Sequence, residues 1–214
     1  MASDEKTWLL EQRAHRCVEN LSKHRFDAHY LETGAEVPEK VKPFLEAADT
    51  VGFGGSDTVR SLGLHALAEE MGKTVYDHHR PDLSYDETLA MRKGQQGCDL
   101  FFTSANALSE TGEIINVDGI GNRTSAMAFG PSRVVVVAGI NKIASDLHGA
   151  LRRIREVAGP MRAKSLGVET PCAVTGVCSD CNAPMRICNI TTILHRKPML
   201  TEVTVFIVGE ELGF

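Results

Sequence analysis

The sequence predicts an α/β fold, a mostly parallel open sheet flanked by helices. Short apolar runs rich in β-branched and aromatic residues alternate with stretches whose apolar residues recur at helical spacing, and the connections are only a few residues long. The chain has 214 residues, 43% hydrophobic and 24% charged, which suits one domain with a full core over residues 1–214.

Taken in order, Thr7 to Arg25 places Trp8, Leu9, Ala14, Cys17, Val18 and Leu21 at helical spacing and predicts an amphipathic helix. Phe26 to Leu31 follows as a strand. Val37 to Ala48 reads as a second helix, with Pro38 tolerated in its first turn. Asp49 to Phe53 is a strand, Thr58 to Met71 a helix, Thr74 to Asp77 a strand, Tyr85 to Gln95 a helix and Cys98 to Thr103 a strand. A hairpin-like, polar section then breaks the rhythm before the Val134–Ala138 strand. Lys142 to Ala158 carries Ile143, Leu147, Ala150, Leu151, Ile154 and Val157 on one stripe, a long helix ended by Gly159-Pro160 or kinked there and continued to Ser165. Thr201 to Val208 is the last strand.

A formal net charge of −5 argues against nucleic acid or an anionic membrane as the main partner. The start of the chain is charged from its fourth residue and lacks an apolar targeting core, and no apolar run approaches the ~20 residues of a membrane span. A cytoplasmic location without membrane insertion is expected, and with it reduced thiols.

The stretch Asp99 to Lys142 carries the densest set of site-like residues: Glu110 and Glu113 about Gly112, Asn116, Asp118 and Arg123, all between two core strands. A hairpin with solvated charges is the alternative. Four pieces of this region, Ser109-Glu110-Thr111-Gly112, the polar loop with Arg123, the strand Arg133 to Ala138, and Gly139-Ile140-Asn141-Lys142-Ile143, resemble the LUD (lactate-utilisation) domain family, LutC/YkgG-like. The resemblance runs from the first glycine-rich turn to the C-terminus. It implies a fold similar to the ribose-phosphate isomerase and CoA-transferase superfamily, a role in oxidation of lactate to pyruvate, and iron–sulfur and oxidoreductase subunits as partners.

Three features carry chemistry. The first is the turn Gly54-Gly55-Ser56-Asp57-Thr58, which leads from a strand into a helix start whose free amides suit a phosphate or carboxylate. Simple capping by Ser56 or Asp57 competes with that reading. In an open parallel sheet this turn and Asn141-Lys142 both belong beyond the carboxyl ends of the strands. There Lys142 can neutralise an anionic ligand and Arg123 can grip a carboxylate, while Asn141 and Lys142 also suit the cap of the long helix.

Glu110 is the second feature, a candidate catalytic residue, either general base or, by analogy with the CoA transferases, nucleophile. His78-His79 ends a strand, where neighbouring side chains face opposite ways, so at most one of the two is expected to reach the site.

The third is the segment 167–190, with Cys172, Cys178, Cys181 and Cys188 among Gly, Asn and Pro. The Cys178-x2-Cys181 spacing lets two sulfurs reach one centre, and shared metal ligation competes with free or redox-active thiols. The spacing matches neither the bacterial ferredoxin run nor a zinc ribbon. Because the family works beside iron–sulfur proteins, an iron–sulfur cluster is favoured, with zinc as the alternative. Cys17 and Cys98 sit in apolar contexts and read as core.

Together these readings favour a component of lactate or related hydroxy-acid oxidation that takes a small anionic ligand. The alternatives are a CoA-transferase- or isomerase-like enzyme using Glu110 on a CoA or sugar-phosphate ligand, and a zinc-stabilised ligand-binding module. No flavin or nicotinamide fingerprint is present.

Overall fold

Helix α1, Asp4–Lys23, has acids in its first turn and Lys23 in its last, in accord with the helix dipole. Its buried stripe is Ala14, Cys17 and Leu21, continued by the partly buried Leu10. Trp8 and Leu9, expected on that stripe, lie off its axis and are exposed. The computed structural model describes residues 4–214, so the first three residues of the expected domain lie outside the described residues.

The chain continues through β1 (Asp27–Leu31), α2 (Val37–Glu46), β2 (Thr50–Phe53), α3 (Asp57–Ser61), α4 (Leu64–Glu70) and β3 (Thr74–Asp77). It goes on with α5 (Tyr85–Gly94), β4 (Leu100–Thr103), β5 (Ala107–Ser109), β6 (Ile114–Asp118), α6 (Asn122–Ala128) and β7 (Arg133–Gly139). The remaining elements are β8 (Ile143–Ala144), α7 (Leu147–Arg153), α8 (Gly159–Ser165), α9 (Pro171–Thr175), β9 (Ile190–Leu194) and β10 (Glu202–Val208).

Six strands form a parallel sheet in the order β1-β10-β7-β4-β2-β3. Its central strands are buried on both faces, which is why they read as unbroken apolar runs: Leu100, Phe101, Phe102 and Val134 to Val137 are all at most 1% exposed. Phe101 joins the core under α1, whereas Phe53 and Phe102 join the core under α2 and α4. Burying each such ring contributes roughly 1.5–3 kcal/mol. The second sheet, β8-β5-β6-β9, holds the hairpin section. Gly112, at φ +96°, makes the turn between β5 and β6. Leu108, Ile114 and Leu194 of this sheet share one core with Val134 and Val136 of the first.

Two helices depart from expectation. The expected Thr58–Met71 helix is divided into α3 and α4 by Gly63, whose φ of +69° no continuous helix accepts. The expected Lys142–Ala158 helix starts later. Ile140–Lys142 is a 3-10 turn, Ile143 and Ala144 form β8, and Asp146, accepting from the Gly149 N–H at 2.6 Å, is the N-cap of α7. A π-helical turn, Ile154–Ala158, then joins α7 to α8, and Gly159-Pro160 opens α8, so of the two readings the continuation to Ser165 holds and the stop at Gly159-Pro160 does not. The strand β9 was not expected; its short, half-exposed Ile-Thr-Thr-Ile-Leu run pairs antiparallel with β6.

Candidate functional site

Chain order reverses beside β2: β3 lies on one side of it and β4 on the other. Ligands in open α/β sheets collect beyond the carboxyl ends of strands at such a switch. A cleft of about 350 Å³ lies there. It is lined by the turn after β2, the residues after β3 and β4, the start of α6, the 3-10 turn after β7, α8, and the cysteine segment. Six Lys or Arg residues line it against two acids, Asp57 and Asp118, so the cleft is locally basic although the chain is net negative.

At the base of the cleft is Lys142, the one buried lysine among the described residues, 3% exposed. Its Nζ donates to Thr58 Oγ1 and Ser104 Oγ, both at 2.9 Å, and meets no carboxylate. Burial, together with the Arg153 and Arg123 charges, pushes its pKa down to about 7. Thr58 is placed by α3, which Ser56 caps by accepting from the Val59 N–H at 3.2 Å. The capping expected of Ser56 and the lining of the cleft are therefore compatible. Ser104 directly follows β4; its position at a strand end in the first crevice is the signal by which it could have been anticipated.

Glycine is required at this turn by close packing. A Cβ on Gly55 would lie 2.7 Å from His79 Nε2, and one on Gly54 would lie 3.2 Å from both Phe101 Cζ and Thr103 Oγ1. Gly55, Ser56 and Thr58 line the cleft; Gly54 sits behind them, its N–H bonded to the Phe102 carbonyl at 2.9 Å.

Arg123 also reaches the cleft, but its guanidinium is already engaged. Nε and Nη2 donate to Asp118 Oδ1 at 2.9 and 2.6 Å, and Nη2 to the Val117 carbonyl at 2.8 Å. It therefore shapes the wall instead of presenting a free fork. Asp118 also accepts from the Thr124 N–H at 2.9 Å and so starts α6. Arg162 pairs with Asp57 at 2.6 Å across the cleft. Among the described residues Arg155 makes no ion pair.

Both histidines line the cleft, with ring centroids 4.3 Å apart. The expectation that one would point away fails because β3 ends at Asp77, so strand alternation does not extend to them. Burial and the neighbouring His79 and Arg92 bring His78 down to about 4, leaving it neutral. Asp77 beneath them is held ionised: burial raises it, but the His79 N–H at 2.9 Å and Arg60 at 3.0 Å outweigh that and lower its pKa. Gln95, fully buried, donates to the Phe53 and Tyr76 carbonyls at 2.8 and 3.1 Å and accepts from Asn122 at 3.0 Å, tying β2, β3 and α6 together behind the histidines.

Two expected residues lie elsewhere. Asn141 does not line the cleft or cap a helix; its amide accepts from the Leu212 N–H and donates to the Gly213 carbonyl, both at 3.2 Å, fastening the segment after β10. Glu110 is on the far side of β5, outside the cleft. Its carboxylate receives Arg13 Nε at 2.5 Å and Arg16 Nη2 at 3.0 Å, and its carbonyl accepts from Asn20 at 2.7 Å, so it clamps α1 to the hairpin.

All four cysteines of the 167–190 segment line the same cleft as Lys142, which the sequence had left as a separate feature. They are free and partly buried. Among the described residues no group of three or more His, Cys, Asp or Glu is close enough to hold one metal ion. Yet the Cys188 thiol, raised mainly by burial, also feels Cys178 and Cys181, and Arg186 donates to the Cys188 carbonyl at 3.2 Å. Cys17 and Cys98 are buried instead, each thiol pushed up to about 12 by burial, and inert at neutral pH.

Among the described residues no helix is long and apolar enough to cross a membrane. No curated protein matches the chain. A solved structure similar to it is a DUF162-family protein from Deinococcus radiodurans, at 15% identity and a TM-score of 0.55, covering 93% of this chain and 98% of that one. This likeness shows the α/β fold. The sequence itself matches the LUD domain over residues 14–208, a span that holds every strand of the two sheets and most of the cleft lining, and the chain therefore belongs to the LUD-domain family.

Proposed function

We propose that this protein is a component of the oxidation of lactate, or a related hydroxy acid, to pyruvate, and that the cleft at the β2/β4 switch takes the small carboxylate. The observation that carries the reading is a basic cleft with a buried, carboxylate-free Lys142 at its base. Membership of the LUD family, associated with lactate utilisation, supports the choice of ligand. Lacking a nucleotide fingerprint, the chain works beside iron–sulfur and oxidoreductase subunits that take the electrons. Titration calorimetry with lactate, pyruvate and the neutral lactamide tests this. Binding of both carboxylates without the amide is expected, and equal or absent heats for all three would overturn it.

The four thiols are proposed to hold an iron–sulfur cluster. All four line one cleft, and Cys172, Cys178, Cys181 and Cys188 supply the four thiolates that such clusters use. Bound there, the cluster would pass single electrons. Anaerobically purified protein is expected to contain iron and sulfide that disappear in a Cys178→Ser, Cys181→Ser variant. One zinc per chain lost in that variant, or no metal at all, would sink the assignment.

A further inference from the structure

We propose that Lys142 is a nucleophilic amine that condenses with the carbonyl of a small α-keto acid held in the cleft. The inference rests on the carboxylate-binding reading above and adds a covalent step to it. A lysine buried beside no acid has little to hold a proton on it. Asp57, the acid whose charge acts on Lys142, is engaged by Arg162 at 2.6 Å. The two hydroxyls at 2.9 Å take two of its hydrogens and supply no negative charge to hold a third. Thr58 gives its own proton to the Leu212 carbonyl at 3.1 Å and so accepts from Nζ, and Ser104 accepts the second N–H. Once the third proton leaves, two hydrogens remain bonded to the hydroxyls and the nitrogen lone pair is uncommitted on a group that lines the cleft.

Other lysines differ. Lys42 and Lys197 are paired with Glu39 and Glu202, at 2.6 and 3.0 Å. Charge adds to the contrast: at about 7, Lys142 is half neutral at pH 7, whereas a lysine at about 10.4 is neutral to less than roughly one part in a thousand.

In the step itself the Nζ lone pair forms a bond to the carbonyl carbon, and a nitrogen proton passes to the oxygen to give a carbinolamine. The C–O bond then breaks, oxygen leaves as water with the second nitrogen proton, and an imine remains. No oxidant or reductant is consumed. Uncommitted Arg155 on the cleft wall is a partner for the keto acid's carboxylate.

The test is reductive trapping on the full chain. Wild-type protein is incubated with pyruvate and cyanoborohydride at neutral pH, digested, and its peptides weighed, with pyruvate heats measured in parallel. The reduced adduct is expected on the peptide containing Lys142, well ahead of exposed lysines such as Lys23, and absent in Lys142→Arg. Because the map is made on wild-type protein, the result stands even where that variant fails to fold. Pyruvate heat with no adduct at Lys142, or an adduct spread evenly over surface lysines, would overturn the imine and leave the carboxylate-binding reading. Neither heat nor adduct would overturn both.

Discussion

Removing the Glu110 side chain separates its structural role from a catalytic one. In Glu110→Ala, α1 loses the hydrogen bonds of Arg13 and Arg16 to the carboxylate, which is 15% exposed, while the bond from Asn20 to the Glu110 carbonyl remains. A hydrogen bond to a charged group is worth about 1.5–3 kcal/mol. The Arg13 bond, with that side chain 28% exposed, keeps most of this. Arg16, half exposed, falls to the ~0–1 kcal/mol of a surface pair. The variant should therefore lose about 2 kcal/mol of stability. For a chain of this length each kcal/mol corresponds to about 2–4 °C in Tm, so a fall of about 4–8 °C is expected by thermal denaturation. Pyruvate binding by calorimetry should be unchanged. A variant of full stability that no longer binds or turns over ligand would refute the reasoning and return Glu110 to the site.

Further outcomes follow from the cleft. Gln95→Leu leaves the buried Phe53 carbonyl and the part-buried Tyr76 carbonyl without that donor and should cost about 2 kcal/mol or more in denaturant unfolding, together with weaker ligand binding as His78, whose Nδ1 lies 2.8 Å from the Gln95 amide nitrogen, loosens. Lys142 is depressed from 10.5 to about 7, so above pH 7 the unfolded chain binds more protons and stability rises with pH. Up to pH 9 the gain is about 2 kcal/mol and should vanish in Lys142→Met. Above pH 9 the Cys17 and Cys98 thiols, held at about 12, act in the opposite direction. On the acid side His65 and His78, both lowered to about 4 from 6.5, bind protons only on unfolding. Stability should accordingly fall as pH drops from 6.5 to 4, measurably less so in His65→Phe.

The parallel sheet was legible because its strands are buried on both faces, so Leu100-Phe101-Phe102 and Val134 to Val137 announce themselves without ambiguity. The strand β9 was not, since a half-exposed run directly after the cysteine-rich segment gains its conformation only by pairing with β6. The apolar stripe from Ile143 onward concealed a 3-10 turn and β8, because periodicity reports which face is buried and not where a helix begins; the cap, Asp146, was the better signal. At the site, strand ends were readable and partners were not. Gly55, Thr58 and Lys142 meet because β2 and β7 end on the same edge of the sheet, a consequence of parallel topology. That Arg13 and Arg16 occupy Glu110, and that four cysteines line the same cleft as Lys142, are long-range relations that spacing along the chain does not encode, whereas the Asp118–Arg123 pair is local and forms because the turn into α6 brings the two side chains together.

The most direct test of the cleft as the carboxylate site is an amide-resolved NMR titration of the full chain with pyruvate. Shifts are expected to cluster at Gly55, Ser56, Thr58, Lys142 and Gly213, to saturate, and to disappear when the neutral lactamide replaces the acid. Shifts centred on α1 and Glu110, or none that saturate, would contradict it.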